Sequence, residues 1–331
     1  MYRKQSARAI EVAGLTKQFG ETTAVDGFDL AVEPGSVTGL LGPNGAGKTT
    51  VVRILATLLQ PDAGTVRIGG YDIQRHAHQV RQLIGVTGQY ASVDEDLTGL
   101  QNLTMVGRLL GLPRSEAKER AGELIDEAGL RDAATKPAKN YSGGMRRRLD
   151  FAASLVNRPA VLFLDEPTTG LDPAARSDAW NMVRSLAAEG STILLTTQYL
   201  EEADHLADEI VLIDAGTVSA TGTPEALKRR LGRQTLEVRV ADPTQLADAA
   251  ARIAPIVHHD PIVDHSSSQL HASVADGQMM PIIVRSLDEA GIVVTELALR
   301  LPSLDDVFLT LTGHHSTDSV AAESLPDGDA A

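Results

Sequence analysis

Three short stretches of this chain hold residue types that can handle phosphate and a divalent metal. The first runs from Gly42 to Thr50 and reads GPNGAGKTT. Gly42, Gly45 and Gly47 admit backbone conformations closed to residues with a Cβ, so the successive amides that follow Pro43, those of Asn44 and Ala46 among them, can turn inward around an anion. Lys48 supplies a cation for terminal phosphates, and the Thr49 hydroxyl is a hard oxygen suited to Mg²⁺. Thr50 leads into VVRILATLL, whose apolar spacing suits a helix, and a helix N-terminus there adds unpaired amides and a favourable dipole. The second stretch is VLFLD at 161–165 with Glu166 directly after it. An apolar strand that ends in two carboxylates delivers them to the ligand edge of a parallel sheet, Asp165 near a metal and Glu166 facing a phosphate and an attacking water. In the third, Ser142, Gly143 and Gly144 precede a helix and so present a second amide-lined anion site, although the tripeptide alone is also an ordinary loop.

These residues need elements to hold them. VTGLL at 37–41 reads as the buried strand that feeds the phosphate loop. Before it, AIEVAGLTKQF and FDLAVEPG read as strands joined by a turn, with Phe19 placed either for the core or for stacking on a planar base. GTVRIGG and LIGVTGQ are further strands, the latter ending on Gln89. From Leu97 to Gly129 the period turns helical, with a Thr98–Gln101 capping box and Ser115 heading a second helix, so a helical insertion of about 90–150 interrupts an α/β core. Arg146–Arg148 read as a solvated helix face that orients or pairs locally. After Asp172, AARSDAWNMVRSLAAEG is a helix closed by Gly190, and STILLTT is a buried strand with Gln198 just past its end. Another helix, two strands and a helix capped by Thr223 with Pro224 at its first position complete this part.

At 331 residues the chain is long enough for two domains. Hydrophobic residues make up 43%, yet no run reaches the roughly 18 apolar residues of a membrane span, and the start lacks the apolar region of a secretory signal. There is no Cys, which excludes disulfides and thiolate chemistry. The net charge is −14, of which residues 231–331, with five Arg, no Lys and fifteen acidic residues, carry −10. That sign opposes direct binding to nucleic acid or to anionic lipid, so any membrane role runs through a protein partner.

Beyond Gly232 the composition shifts. Residues 234–313 read as strand QTLEVRV, helix PTQLADAAARIA, weak strand PIVHH, strand SQLHASV, helix MMPIIVRSLDEAG, strand IVVTELAL and helix PSLDDVFLTLTG, an order that suits a small ferredoxin-like α+β domain. The cluster His258, His259, Asp260, Asp264 and His265 has no recognisable metal spacing and reads as a solvated turn. Residues 314–331 are small, polar and acidic, and are expected to be disordered.

Taken jointly, the loop at 42, Gln89, Ser-Gly-Gly at 142, Asp165–Glu166, Asp172 and the polar position 198 form one ordered set over residues 9–230. It resembles the ATP-binding subunit of ABC transporters. The resemblance implies an α/β P-loop NTPase core with a helical and an antiparallel β subdomain, and ATP and Mg²⁺ as ligands. It also implies a head-to-tail dimer in which each ATP lies between one chain's phosphate loop and the other's signature loop, and a separate transmembrane permease that holds this chain at the cytoplasmic face of the membrane. Carried over, Phe19 stacks on the base, Lys48 and Thr49 hold phosphates and Mg²⁺, and Gln89 senses metal and partner. Ser142–Gly144 hold the opposite γ-phosphate, Asp165 the metal shell, Glu166 the water, Asp172 a subunit contact, and Gln198 takes the switch position. Met145 and Gln198 stand where most members have Gln and His. YSGGMRRRLD, TTQYLEEAD and the late PSLDDVF are similar to the daunorubicin-resistance type of drug exporter ATPase, which extends the match over the C-terminal domain as a regulatory or assembly module. The alternative is an ABC-type ATPase acting on a ribosome- or DNA-linked partner.

Overall fold

The computed structural model describes residues 8–88, 93–230, 234–264, 268–274, 277–300, 302–305 and 307–308. The chain divides into two compact units, Met1–Pro224 and Glu225–Ala331. In chain order the strands of the first unit are β1 (Ile10–Phe19), β2 (Thr22–Val32), β3 (Val37–Leu41), β4 (Ala63–Ile68), β5 (Tyr71–Asp72), β6 (Ile84–Thr87), β7 (Val161–Asp165), β8 (Thr192–Thr197), β9 (Glu209–Asp214) and β10 (Thr217–Gly222). Its helices are α1 (Lys48–Leu55), α2 (Ala77–Leu83), α3 (Gly99–Leu109), α4 (Arg114–Glu127), α5 (Gly143–Ser154), α6 (Pro173–Ala188) and α7 (Leu200–Leu206), and α8 (Pro224–Arg230) begins at the division.

Six strands form a sheet in the order β10-β9-β3-β8-β7-β6, parallel except for the edge pair β9–β10. Every residue of β3, β7 and β8 is buried, which explains their near-continuous apolar runs: a parallel strand covered on both faces has no solvent side to alternate with. Because β3, β8 and β7 are neighbours, with Leu41 opposite Thr197 and Asp165 opposite Thr196, the segments that follow them emerge together at one edge. A second, antiparallel sheet has the order β2-β1-β4-β5. Its inward residues Ile10, Leu15, Phe28 and Ile68 share one core with Val51, Ile54 and Leu55 of α1, so the phosphate-loop helix is wedged between the two sheets.

The insertion packs α3, α4 and α5 around Leu103, Leu124, Ile125 and Leu149. Thr98 forms the expected capping box with Gln101. The second helix starts one residue earlier than Ser115, at Arg114 after Pro113, because the fixed φ of that proline suits entry into a helix. The short α2 has no counterpart in the sequence reading, since one buried residue, Val80, leaves no period to see.

In the second unit β11 (Gln234–Val240), β12 (Ile262–Asp264), β13 (Gln269–Val274) and β14 (Val294–Arg300) pair antiparallel in the order β12-β13-β11-β14, with α9 (Leu246–Val257) and α10 (Met280–Glu289) between them. This is the expected βαββαβ arrangement. The weak strand assigned to PIVHH is corrected: residues 255–257 continue α9, which buries Leu246, Ala249, Ile253 and Val257 on one face, and the strand is Ile262–Asp264. Burying that stripe outweighs the backbone bond lost at Pro255. His259 lies against its own neighbourhood, with Nε2 at 2.7 Å from the Ser273 carbonyl, and His265 falls outside the described residues. Leu304, Val307 and Phe308 are buried in the described part of the last helical stretch, and the tail from 314 lies outside it.

Candidate active site

The phosphate loop leaves β3 at Gly42 and enters α1 at Lys48, with Gly47 as the capping residue at φ +105°. Two of its glycines are demanded by neighbouring backbone. A Cβ on Gly47 would lie 2.4 Å from the Ala24 carbonyl oxygen, and one on Gly42 would lie 2.2 Å from that of Ile213. Gly42 therefore owes its place to close approach and not to a positive φ, a correction to the sequence reading. Gly45, at φ +83°, faces open space on its Cβ side. The loop is closed by the Ala46 amide donating to the Pro43 carbonyl and pinned from outside by the Gly216 amide donating to the Ala46 carbonyl.

Lys48 is buried, and its Nζ donates to the Gly42 carbonyl at 2.6 Å and to the Pro43 carbonyl at 3.1 Å. The ammonium is thus held across the loop before any ligand is considered. Glu166 Oε1 is 3.9 Å from it. Burial pulls the Lys48 pKa down, and Glu166 and then Asp165 oppose the pull.

Asp165 ends β7 and is buried. Its Oδ1 accepts a 2.6 Å hydrogen bond from Thr196 Oγ1 and a longer one, 3.4 Å, from Thr49 Oγ1. The Glu166 amide donates to both the Thr196 hydroxyl and the Thr196 carbonyl at 3.1 Å. Thr196 thereby fixes the Asp165 carboxylate and the backbone of Glu166, a role the sequence reading missed. Its signal, a threonine pair ending an apolar strand, acquires meaning only once β8 is known to lie beside β7. Glu166 itself has φ +49°, a left-handed conformation that a side chain with a Cβ rarely adopts. Its Oε2 accepts from Thr169 Oγ1 at 3.3 Å.

Gln198 sits half-buried just past β8, at the edge the two neighbouring strands share. Phe19, at the end of β1, is 50% exposed with Lys17 Nζ 5.5 Å above its ring, so it is no core residue. Gln89 lies outside the described residues.

The Ser-Gly-Gly loop is brought together with other residues. Ser142 caps α5 by accepting from the Met145 amide, and Ser142–Gly144 line a cavity of about 260 Å³ with Gly170, Asp172 and Ala175. None of the phosphate-loop residues lines it. Asp172 caps α6 by accepting from the Ala175 amide at 2.8 Å, a local reason for that residue type. Met145 is partly buried against the helical core.

The Arg146–Arg148 run is only partly the solvated face expected. Arg146 pairs with Glu95, but the Arg147 side chain is 13% exposed and reaches the ends of β6 and β7. Burial lowers its pKa, opposed first by Asp150. A run of three arginines gives no hint of which one turns inward.

The residues present fit a nucleoside triphosphate with Mg²⁺. The loop pairs a bent backbone with a buried ammonium, and the donors nearest it, the Thr49 hydroxyl and the Asp165 carboxylate, are the hard oxygens that Mg²⁺ prefers.

Residues 25–169 match the ABC transporter family, and residues 222–312 match the ATP-binding protein DrrA1-3-like, C-terminal domain. The chain is 50% identical to the daunorubicin resistance ATP-binding protein DrrA2 of Streptomyces coeruleorubidus, over 96% of this chain and 98% of that one. It is 42% identical to the Nod factor export ATP-binding protein I of Ralstonia nicotianae, over 95% and 96% of the two chains. Among solved structures, an ATP-binding subunit of an ABC transporter superposes with a TM-score of 0.61 at 27% identity, covering 68% of this chain and 93% of that one. A second, an ABC-transporter cassette in its ADP conformation, gives 0.62 at 26% identity, covering 67% and 93%.

Proposed function

The chain belongs to the family of ABC transporter ATP-binding subunits, in the daunorubicin-resistance group, and from that premise we propose that it energises export of a hydrophobic drug or lipid-like compound through a separate membrane permease. It hydrolyses ATP with Mg²⁺. The resistance and export names of its relatives speak for this reading and against a ribosome- or DNA-linked role. No helix among the described residues is long and apolar enough to cross a membrane, in keeping with a peripheral subunit at the cytoplasmic face whose lipid-spanning part is another chain.

The observation that carries the reading is the meeting of Lys48, Thr49, Asp165 and Glu166 at neighbouring strand ends, with the Ser142–Gly144 loop at a different cavity of the same unit. One chain then holds two halves that belong to different sites, and a head-to-tail pair of chains completes both. Lys48 and the loop amides bind the phosphates, Thr49 and Asp165 hold Mg²⁺, and Phe19 stacks on the base. Gln198 serves the γ-phosphate, Gln89, outside the described residues, keeps the metal-sensing role that the family resemblance implies, and Ser142–Gly144 close on the γ-phosphate of the ATP held by the opposing chain. Bound there, Mg²⁺ neutralises charge on the phosphate oxygens. Glu166 accepts the proton of the attacking water through its carboxylate, a contribution of about 10²- to 10⁴-fold.

Glu166→Gln tests this reading, because it keeps shape and loses basicity. It should retain ATP, lose hydrolysis and elute as a dimer with ATP and Mg²⁺ on size exclusion. A monomer under those conditions would sink the head-to-tail pair. The second domain, residues 234–313, serves assembly with the permease. A chain ending after Arg230 should bind ATP yet fail to co-purify with the permease, and full transport by it removes that assignment.

A further inference from the structure

Arg147 lies on the helix that begins with the Ser142–Gly144 loop, and its guanidinium spends its donors on three segments. Nε donates to the Pro167 carbonyl at 2.7 Å, and Nη2 to the Glu166 carbonyl at 3.4 Å. Nη1 donates to the Gly88 carbonyl at 3.0 Å and to Asp150 Oδ2 at 3.3 Å. Asp150, one turn along the same helix, is 1% exposed and balances the charge. The guanidinium lies over the Phe151 ring, with Cζ 5.5 Å from its centroid. Arg148 differs: it donates to the Ala128 carbonyl and stays within the helical insertion.

The turn that Arg147 grips holds a non-glycine residue in the left-handed region. Such a residue, here at φ +49°, persists only where its surroundings over-determine it. The Glu166 amide is held from β8 by Thr196, and the carbonyls of Glu166 and Pro167 are held from α5 by Arg147. Remove the second grip and the turn is free to relax on one side. The bond to the Glu166 carbonyl is already near the limit of hydrogen bonding, so a shift of α5 by a few tenths of an ångström makes or breaks it.

We propose that Arg147 is a positioning residue for hydrolysis. It aims Glu166 by fixing the turn after β7, and it ties that aim to the placement of the helix whose first residues form the Ser-Gly-Gly loop. The base of one site thereby answers to the loop that serves the opposing site. This rests on the reading of Glu166 and of the paired sites given above. None of these Arg147 contacts is to a phosphate-loop residue, so ATP affinity is expected to be spared.

The test is a double-mutant cycle on the full chain, with the affinity for a fluorescent ATP analogue, single-turnover hydrolysis of radiolabelled ATP and thermal unfolding read for every variant. Arg147→Met keeps packing on Phe151 and removes all donors. It should slow hydrolysis by about 10- to 100-fold, the usual scale for a misplaced group, with analogue affinity within about 2-fold of the parent. Combined with Glu166→Gln it should add no further loss, because both changes remove the same contribution. An independent, multiplicative loss in the double variant overturns the proposal, and so does a loss of ATP affinity as large as the loss of rate. Arg147→Lys keeps a charge beside Asp150 and serves if the methionine variant does not fold. As a point donor it should recover only part of the rate, and a fully normal rate overturns the proposal. A normal rate for Glu166→Gln alone would instead strike the base assignment, which separates that failure from this one.

Discussion

The two loops of the first unit proposed to bind phosphate are built on opposite principles. The phosphate loop is wedged between two sheets, and its lysine is buried against its own carbonyls. Its glycines at 42 and 47 are forced by carbonyl oxygens closer than any Cβ could tolerate. In the signature loop Ser142 and Gly143 are exposed, and Gly143 has nothing within 4 Å of where a Cβ would sit. The first loop is finished within one chain, and its residue types are dictated by the fold as much as by phosphate. The second needs its residue types only when something else arrives. Stability should therefore depend on the first loop and assembly on the second.

The largest effect that would sharpen this contrast is at Lys48. Lys48→Ala should abolish tight ATP binding and hydrolysis, since the phosphates lose their nearest cation and two loop carbonyls lose their donor. Turnover near the parental rate would mean that the phosphate loop is not the site. Next in size is a matched pair of alanines. Gly47→Ala places a Cβ 2.4 Å from the Ala24 carbonyl at φ +105° and should cost at least about 2 kcal/mol in urea unfolding. Gly143→Ala should change stability by no more than about 0.5 kcal/mol while reducing ATP-dependent dimerisation of the Glu166→Gln chain. Equal destabilisation by the two would break the comparison.

Legibility in the sequence follows the same division. The phosphate loop, the apolar strand ending in Asp165 and Glu166, and the capping box at Thr98 announce themselves, because each is a local pattern with a local cause. The order of elements along the second unit is readable from periodicity, except at residues 255–257, read as the start of a weak strand, where burial of Val257 extends α9. What stayed hidden depends on adjacency. Thr196 meets the Asp165 carboxylate and the Glu166 amide only through the β7–β8 register, and the Ala24 and Ile213 carbonyls constrain the loop glycines from distant segments. Arg147 is one of three identical letters, and only the packing of α5 turns it toward β7. Residue identity carried the chemistry, and topology supplied the partners.

A smaller effect belongs to Gln198, which stands at the shared strand edge of the catalytic side. Its amide can donate to a phosphate oxygen and accept from a neighbour, so position is kept without a titratable charge. Gln198→Ala should raise the hydrolysis barrier by about 1 to 3 kcal/mol if that bond forms in the closed state. Gln198→His should stay active and acquire an inflection between about pH 6 and 8, where an imidazole titrates. Rates for the three versions across that range, with the permease present, decide it. An unimpaired alanine variant would reduce Gln198 to surface and shrink the catalytic side by one strand end.

The smallest effect concerns what the buried side of the comparison costs. Glu202 on α7 is fully buried, with Oε1 accepting from Trp180 Nε1 at 3.2 Å. Burial raises its pKa, and the hydroxyls of Thr197 and Thr168 and the Trp180 indole offset the rise only in part. A carboxyl whose folded pKa exceeds the unfolded one adds stability below the ordinary glutamate range. That contribution is lost as the pH climbs through the raised value and leaves a charge in the interior. Glu202→Gln retains the acceptor for the indole and cannot ionise. It should therefore unfold at a higher temperature than the parent near pH 8, by about 2 to 4 °C for each kcal/mol recovered, with the gap closing toward pH 4. Emission from Trp180, the chain's single tryptophan, follows the transition at the same place. A parent more stable than the variant at pH 8 would mean that the ionised carboxylate is well paired, and that burying charge on the catalytic side carries no cost the exposed signature loop avoids.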